Sequence, residues 1–239
     1  TDLDCRSHVN FDNAFQTMTE DLSVIRQQVH DQFPDKPLLI FAHSMGSFLT
    51  MRHLQIAVNQ PPPSGVIYSG SSGAVSPLLT LGILFSSLMN SLTHDVYRSG
   101  LLRDIVFKPY NDAFKPTRTR HDWISSDPEA VDKYVNDPSC GFTPTVSFLN
   151  HFFKRLKKTQ AHKPFSGPFN YPTLILAGAE DPISKPLNGI DALHQKLSGS
   201  GIKHIERLVY DGGRHEMLSE LNRDDVMKDI GSWISRALE

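Results

Sequence analysis

The stretch that decides the fold of this chain is Phe41-Ala42-His43-Ser44-Met45-Gly46. It follows the short apolar run Leu38-Leu39-Ile40, which predicts a buried strand, and precedes Phe48–Leu54, which predicts a helix. A small-x-Ser-x-Gly turn between a strand and a helix is the pattern of a nucleophile elbow. Small residues are expected at both ends of the turn because the two backbones nearly touch. Ser44 is therefore a candidate nucleophile, and its alternative role is the N-cap of the helix.

A second loop, which follows the predicted strand Ile205–Tyr210, carries the candidate base His215. A serine hydroxyl is a poor nucleophile until a base takes its proton, and a loop after the last strand can bring an imidazole over the elbow. His43 stands next to Ser44, and we expect its side chain to point away from the site.

A third loop, which follows the predicted strand Thr173–Gly178, carries the candidate acid Asp181. Such a carboxylate fixes the tautomer of the histidine and stabilises the imidazolium. Glu180 and Asp211 are the alternatives, and their ordinary role would be that of solvated loop charges. Met45 is expected to offer its backbone N–H to an oxyanion, although its side chain alone would be explained by core packing.

Composition narrows the function classes. The chain has 239 residues and a net charge of −2, so no basic field favours nucleic acid as a partner. The two cysteines and eleven histidines form no metal-ligand spacing, and no cofactor is expected. No apolar run reaches membrane-spanning length, and a cytoplasmic location is expected, although a targeting segment cannot be observed in a sequence that begins at Thr1.

Helical periodicity alternates with the predicted strands over much of the chain. Apolar residues recur three or four positions apart from Phe11 to Phe33, and a helix from the elbow to about Asn59 precedes the strand Gly65–Gly70. A closing helix is expected from Asp224 to Leu238. This alternation predicts an α/β fold with a doubly wound, mostly parallel sheet.

The middle of the chain lacks strand-like alternation and predicts a helical lid insertion. We expect core residues 1–73 and 169–239 on either side of residues 74–168, which we call the lid segment. Helices are predicted within it at Asp127–Val135 and Thr145–Lys158.

The lid segment also carries the features that bear on the substrate. Leu84, Phe85 and Leu88 are candidates to line an acyl-chain tunnel, and simple packing of the lid on the core is the alternative. The basic run Lys154-Arg155-Leu156-Lys157-Lys158 suits anionic lipid head groups and hence peripheral membrane contact, or equally a solvated helix face.

The chain resembles bacterial lysophospholipases and monoacylglycerol lipases of the α/β-hydrolase family, a group that includes serine aminopeptidase-like members. The matching motifs are Ala42–Gly46, Gly178–Pro182 and Tyr210–Leu218, together with Asp137–Thr143 in the lid segment. The order serine, acid, histidine is also the order of this family. The resemblance implies a serine hydrolase that cleaves carboxylic esters of monoacyl lipids through an acyl-enzyme on Ser44, with Asp181 and His215 completing the triad.

The chain departs from that family before the elbow. Family members carry several strands there and a His-Gly loop that gives a second oxyanion donor, whereas only one helix is predicted before Leu38 and no His-Gly dipeptide occurs. We therefore expect a chain that lacks N-terminal strands of the family, with an apolar elbow strand at the sheet edge.

Other function classes remain open at this point. A general carboxylesterase or an aminopeptidase-like hydrolase would use the same three residues. The missing oxyanion loop also suits a non-catalytic lipid-binding module or an inactive fragment.

Overall fold

The strands form one parallel sheet. The computed structural model describes residues 8, 14–57, 59–74, 77–94, 96–161 and 171–239. Neighbouring strands are all parallel, in the order β1-β2-β3-β4. The strands are β1 (Leu39–His43), β2 (Gly65–Ser69), β3 (Thr173–Gly178) and β4 (Ile205–Tyr210). The predicted α/β class and parallel sheet are confirmed.

Eight α-helices lie in the described residues. They are α1 (Ala14–Gln32), α2 (Met45–Ile56), α3 (Pro77–Leu92), α4 (Gly100–Asp112), α5 (Pro128–Asn136), α6 (Val146–Ala161), α7 (Gly189–Ser198) and α8 (Arg223–Ala237). The start predicted for the first helix, at Phe11, lies outside the described residues. None of the described helices is both long and apolar enough to cross a membrane.

Helices cover both faces of the sheet because successive strand residues point to opposite sides. On one face, Val66 and Tyr68 of β2 pack in a buried cluster with residues of α1, α2 and α7. On the other face, Ile67 of β2 and Leu174 of β3 pack against Trp233 of α8. All five side chains are at most 2% exposed, so the core lies on both sides of β2 and β3.

Four helices, α3 to α6, follow one another between β2 and β3, and the lid segment contains no strand in its described part. Helix α4 was not predicted from the sequence. Glycine and proline commonly break helices, yet Gly100 is the first residue of α4 and Pro109 lies within its last turn. Ser99 caps the helix by accepting a hydrogen bond from the backbone N–H of Leu102 (3.1 Å).

The elbow strand lies at one edge of the sheet, as expected. Within the described residues β1 pairs only with β2, and Phe41 is 42% exposed. Parallel pairing places the carboxyl ends of all four strands at the same edge, and the three predicted catalytic loops begin there.

Candidate active site

Ser44 occupies the sharp turn between β1 and α2. Its backbone has φ 50° and ψ −121°, a conformation that non-glycine residues rarely adopt. The Ser44 N–H donates to the carbonyl of Ser69 in β2 (2.9 Å), which holds the turn against the neighbouring strand. The hydroxyl makes no capping hydrogen bond to α2, so it is not used as the N-cap that its position would allow.

His215 and Asp181 form a buried pair. The imidazole Nδ1 lies 3.1 Å and 3.2 Å from the two carboxylate oxygens, and the residues are 3% and 0% exposed. Asp181 Oδ1 also accepts from the backbone N–H of Ile183 (2.9 Å), which fixes the carboxylate. An Nδ1–H that donates to Asp181 leaves Nε2 with the lone pair that a general base needs.

The rival acids lie elsewhere. Glu180 forms an ion pair with Lys185 (2.5 Å), and its side chain is 45% exposed. Asp211 is exposed. Of the three candidate acids, Asp181 is the one that contacts the histidine.

The loop after β4 that carries His215, which we call the histidine loop, comes close to the backbone at the ends of β2 and β3. At Gly70, which has φ 57°, an added Cβ would lie 2.8 Å from Cε1 of His215. At Gly178 an added Cβ would lie 2.2 Å from the carbonyl carbon of Gly213. These two glycines leave the room that the imidazole and its loop occupy. Gly46 differs from our expectation, because a Cβ there would meet no described atom within 4 Å.

Two aromatic rings flank the imidazole of His215. The His43 ring lies 4.8 Å from it between centroids, and the Trp123 ring of the lid segment lies 4.9 Å from it. The expectation that His43 points away from the site is therefore wrong. Its Nδ1 contacts Ser69 Oγ at the end of β2 (3.2 Å). Burial, and next the proximity of His215, lower the pKa of His43 to about 4, so His43 is neutral at pH 7.

Ser44 and His215 thus lie at the same edge of the sheet, where the ring of His43, the residue before Ser44, packs against the imidazole of His215. In the described part of the chain both hydrogen bonds of the imidazole run from Nδ1 to Asp181, and none joins Nε2 to the Ser44 hydroxyl. Catalytic hydrogen bonds are often long without substrate and tighten in the complex.

Met45, the candidate oxyanion donor, is the first residue of α2. The first backbone N–H groups of a helix have no partner within the helix and therefore suit an anion.

A buried carboxylate ties the lid segment to the histidine loop. Glu220 is 1% exposed and accepts from the backbone N–H groups of Arg214 (2.7 Å) and Ser126 (3.0 Å), and from the Ser126 hydroxyl. The N–H of Glu216 donates to the carbonyl of Ile124 (2.7 Å). Residues 122–127, which include Trp123, are thereby fixed to the loop that carries His215.

Arg214 makes a second link between the same two loops. Its guanidinium donates to the carbonyls of Asp122 and Ser125 and lies 4.1 Å from the ring centroid of Phe114. Sequence reasoning missed Trp123, Arg214 and Glu220 as parts of the site. For Arg214 the only signal was its place beside His215, and for the other two there was none.

The predicted substrate-binding residues do not lie together. Leu84 and Leu88 are 63% and 58% exposed, whereas Phe85 packs against a buried cluster of α4 and α6. The structure thus differs from the expected acyl tunnel at Leu84 and Leu88, because the face of α3 that carries Ser86 packs on α6 and turns these leucines outward.

Comparison with known protein families identifies the family of this chain. The family described as "Serine aminopeptidase, S33" matches residues 6–222, which is most of the sequence. The chain belongs to this family. The S33 match and the parallel sheet identify the fold as that of an α/β-hydrolase.

Solved structures agree with this fold. A carboxyl esterase from Bacillus coagulans, crystallised with glycerol, has a TM-score of 0.79 and 27% identity over 94% of this chain and 73% of its own. A monoglyceride lipase from Saccharomyces cerevisiae has a TM-score of 0.67 and 18% identity over 92% of this chain and 68% of its own. A monoacylglycerol lipase from Paleococcus ferrophilus has a TM-score of 0.64 and 18% identity over 92% and 76%. At 18% identity the two lipases support the fold alone.

Proposed function

We propose that this S33 family member is a serine ester hydrolase that cleaves monoacyl lipids, lysophospholipids or monoacylglycerols, through an acyl-enzyme on Ser44. The observation that carries the proposal is the buried His215–Asp181 pair (3.1 Å) at the sheet edge where Ser44 stands in its strained turn. A hydrogen-bonded acid and base, at the same sheet edge as a serine hydroxyl that does not cap its helix, are the three groups that acyl transfer uses.

Each residue has a definite part in the proposed reaction. Ser44 Oγ attacks the ester carbonyl while His215 Nε2 takes the hydroxyl proton, and the oxyanion accepts the N–H of Met45. Asp181 holds the Nδ1–H and stabilises the imidazolium. His215 then gives its proton to the leaving alcohol, and the acyl group stays on Ser44. Water that loses a proton to His215 attacks the acyl-enzyme, and as the fatty acid leaves, His215 returns that proton to Ser44 Oγ.

The choice of monoacyl lipids rests on the lid segment. It contains an apolar cluster in which Leu102, Val146 and Leu149 are buried. A large apolar lid favours a single long acyl chain over a small polar ester. The competing candidate is a general carboxylesterase, which the 27% identity to the Bacillus coagulans carboxyl esterase favours.

A substrate panel separates the two candidates. Purified protein and its Ser44→Ala variant would be assayed on monoacylglycerols and lysophospholipids, on p-nitrophenyl esters of rising chain length, and on aminoacyl anilides. We expect kcat/KM to rise with acyl length and all turnover to disappear in Ser44→Ala. Higher kcat/KM on short-chain esters would favour the carboxylesterase, and turnover of the anilides would favour a peptidase. Lipid binding without any turnover would contradict the enzymatic proposal.

A further inference from the structure

Helix α3 exposes a stripe of four leucines. Leu81, Leu84, Leu88 and Leu92 recur three or four positions apart, so they share one face of the helix. They are 62%, 63%, 58% and 76% exposed. The sequence of α3 contains no charged residue. An uninterrupted apolar face of this kind on a protein surface marks an interaction site.

The opposite face of α3 fixes the direction of this leucine stripe. Ser86 is buried and accepts a hydrogen bond from Asn150 Nδ2 of α6 (3.0 Å). Gly82 lies against the ring of Phe153, 3.5 Å from the position of an added Cβ. Since these contacts anchor the inner face of α3 on α6, the leucine stripe points away from the protein.

A cationic side chain stands beside one end of the leucine stripe, and a second lies one turn away on the same helix as the first. Lys157 of α6 donates to Thr80 Oγ1 (3.1 Å), and Thr80 directly precedes Leu81. Lys154, one turn earlier in α6, is also exposed. The attraction to anions is local, because the whole chain has a net charge of −2.

We propose that the leucine stripe of α3, with Lys157 beside it and Lys154 one turn earlier in α6, docks on the surface of an anionic lipid bilayer. Leucines enter the boundary between head groups and acyl chains, and the lysines meet anionic head groups. A second copy of the chain suits the surface less well, because α3 offers no acidic partner to these lysines. The choice of a lipid surface rests on the lipid substrate proposed above, since monoacyl lipids reside in such surfaces.

The test measures binding without turnover. The full chain carrying Ser44→Ala would be sedimented with vesicles of phosphatidylcholine alone, or of phosphatidylcholine mixed with phosphatidylglycerol. We expect binding to the anionic vesicles and at least tenfold weaker binding after Leu81→Asp with Leu92→Asp. A matched control is Met227→Asp, which adds a charge at a 49% exposed apolar position on α8, on the other face of the sheet. This control should bind as the parent does, and circular dichroism checks that all variants are folded.

Several outcomes would overturn the docking proposal. It would be contradicted directly if the parent protein did not bind anionic vesicles. It would also be contradicted if the leucine double variant bound them as tightly as the parent. A dimer in sedimentation equilibrium that the same double variant dissociates, without vesicle binding, would assign the leucine stripe to a second copy. Failure of docking is separable from failure of the proposed reaction, because the assay uses a variant that lacks the nucleophile.

Discussion

At the scale of single residues, the account depends on which carboxylate contacts His215. Asp181 contacts Nδ1 and is fully buried, whereas its neighbour Glu180 pairs with Lys185 at the surface. Asp181→Asn should lower kcat by a factor on the order of 10³–10⁴, because the amide no longer fixes the tautomer with Nδ1–H. Glu180→Gln is the matched control and should leave kcat unchanged. Steady-state hydrolysis of a p-nitrophenyl ester measures both, and a larger loss in Glu180→Gln would reassign the acid.

One buried and one partly buried histidine make the stability depend on pH. Burial, and next the charge of Arg26 (2.8 Å from Nε2), lower the pKa of His53 to about 4, and His43 is lowered to about 4 by burial and then by His215. Between about pH 6.5 and pH 4 the unfolded chain therefore binds more protons than the folded protein, and the free energy of unfolding falls as pH falls. Two pKa values lowered from 6.5 to about 4 set a limit of about 7 kcal/mol at about 1.4 kcal/mol per pH unit each. We expect a smaller loss of a few kcal/mol, because solvent screens the partly exposed His43.

Urea denaturation at a series of pH values measures this loss. His53→Gln should make the stability less dependent on pH, because one of the two histidines can no longer bind a proton on unfolding. His204→Gln, at an exposed position, is the control and should keep the dependence of the parent. A free energy of unfolding that stays constant from pH 6.5 to 4 would contradict the account.

At the scale of elements, the lid segment and the histidine loop behave as one unit because Glu220 joins them. Glu220→Gln removes one of the two carboxylate oxygens that accept from Arg214 and Ser126. The loss of a buried hydrogen-bond acceptor costs about 1–3 kcal/mol, or roughly 2–4 °C in Tm per kcal/mol for a chain of this size. Since His215 lies on the same loop, kcat should fall while KM changes little.

Glu206→Gln is the control for this element. Glu206 forms an exposed ion pair with Arg236 (2.8 Å), and such pairs contribute at most about 1 kcal/mol. Differential scanning calorimetry and steady-state kinetics on both variants test whether Glu220 joins the lid segment to the histidine loop. Equal Tm and kcat in Glu220→Gln and the parent would show that Glu220 does not hold the loop.

At the scale of the whole molecule, the two edges of the sheet differ. The β4 edge carries Glu206 and Arg207, both in ion pairs, and charges of this kind discourage strand addition. The β1 edge, Leu39-Ile40-Phe41-Ala42-His43, carries no Asp, Glu, Lys or Arg. Self-association should therefore occur through β1, and Phe41→Lys should reduce it.

Val209→Lys is the matched control, because it places the same charge at a 45% exposed position on β4. Light scattering over a range of protein concentrations compares the two variants with the parent. We expect weaker association in Phe41→Lys and no change in Val209→Lys. Weaker association in Val209→Lys and no change in Phe41→Lys would show that chains associate through the β4 edge instead.

The sequence predicted the regular parts of this molecule best. The four strands and the helix after Ser44 follow from apolar runs and turn residues, which are local signals. Helix α4 was not predicted, and its sequence contains Gly100 and Pro109, residue types that usually break helices but fit near the ends of one. Pattern alone could not say that Leu84 and Leu88 face outward, since that depends on which face of α3 packs on α6.

The candidate site was predictable only where a motif marks it. Ser44, Asp181 and His215 follow from loop position and order, and the structure brings the last two into contact. Their catalytic roles remain predictions. Trp123 and Glu220 lie 92 and 5 residues from His215 in sequence and reach its surroundings through tertiary packing, which no local pattern records.

The most direct test of the central claim is covalent labelling of Ser44. Purified protein and Ser44→Ala would be treated with a fluorophosphonate probe, and intact mass would give the number of labels per chain. The account predicts one label on the parent, because His215 and Asp181 activate the Ser44 hydroxyl, and none on the variant. A folded parent protein that takes up no label, or a variant that is labelled equally, would contradict the assignment of Ser44 as the nucleophile.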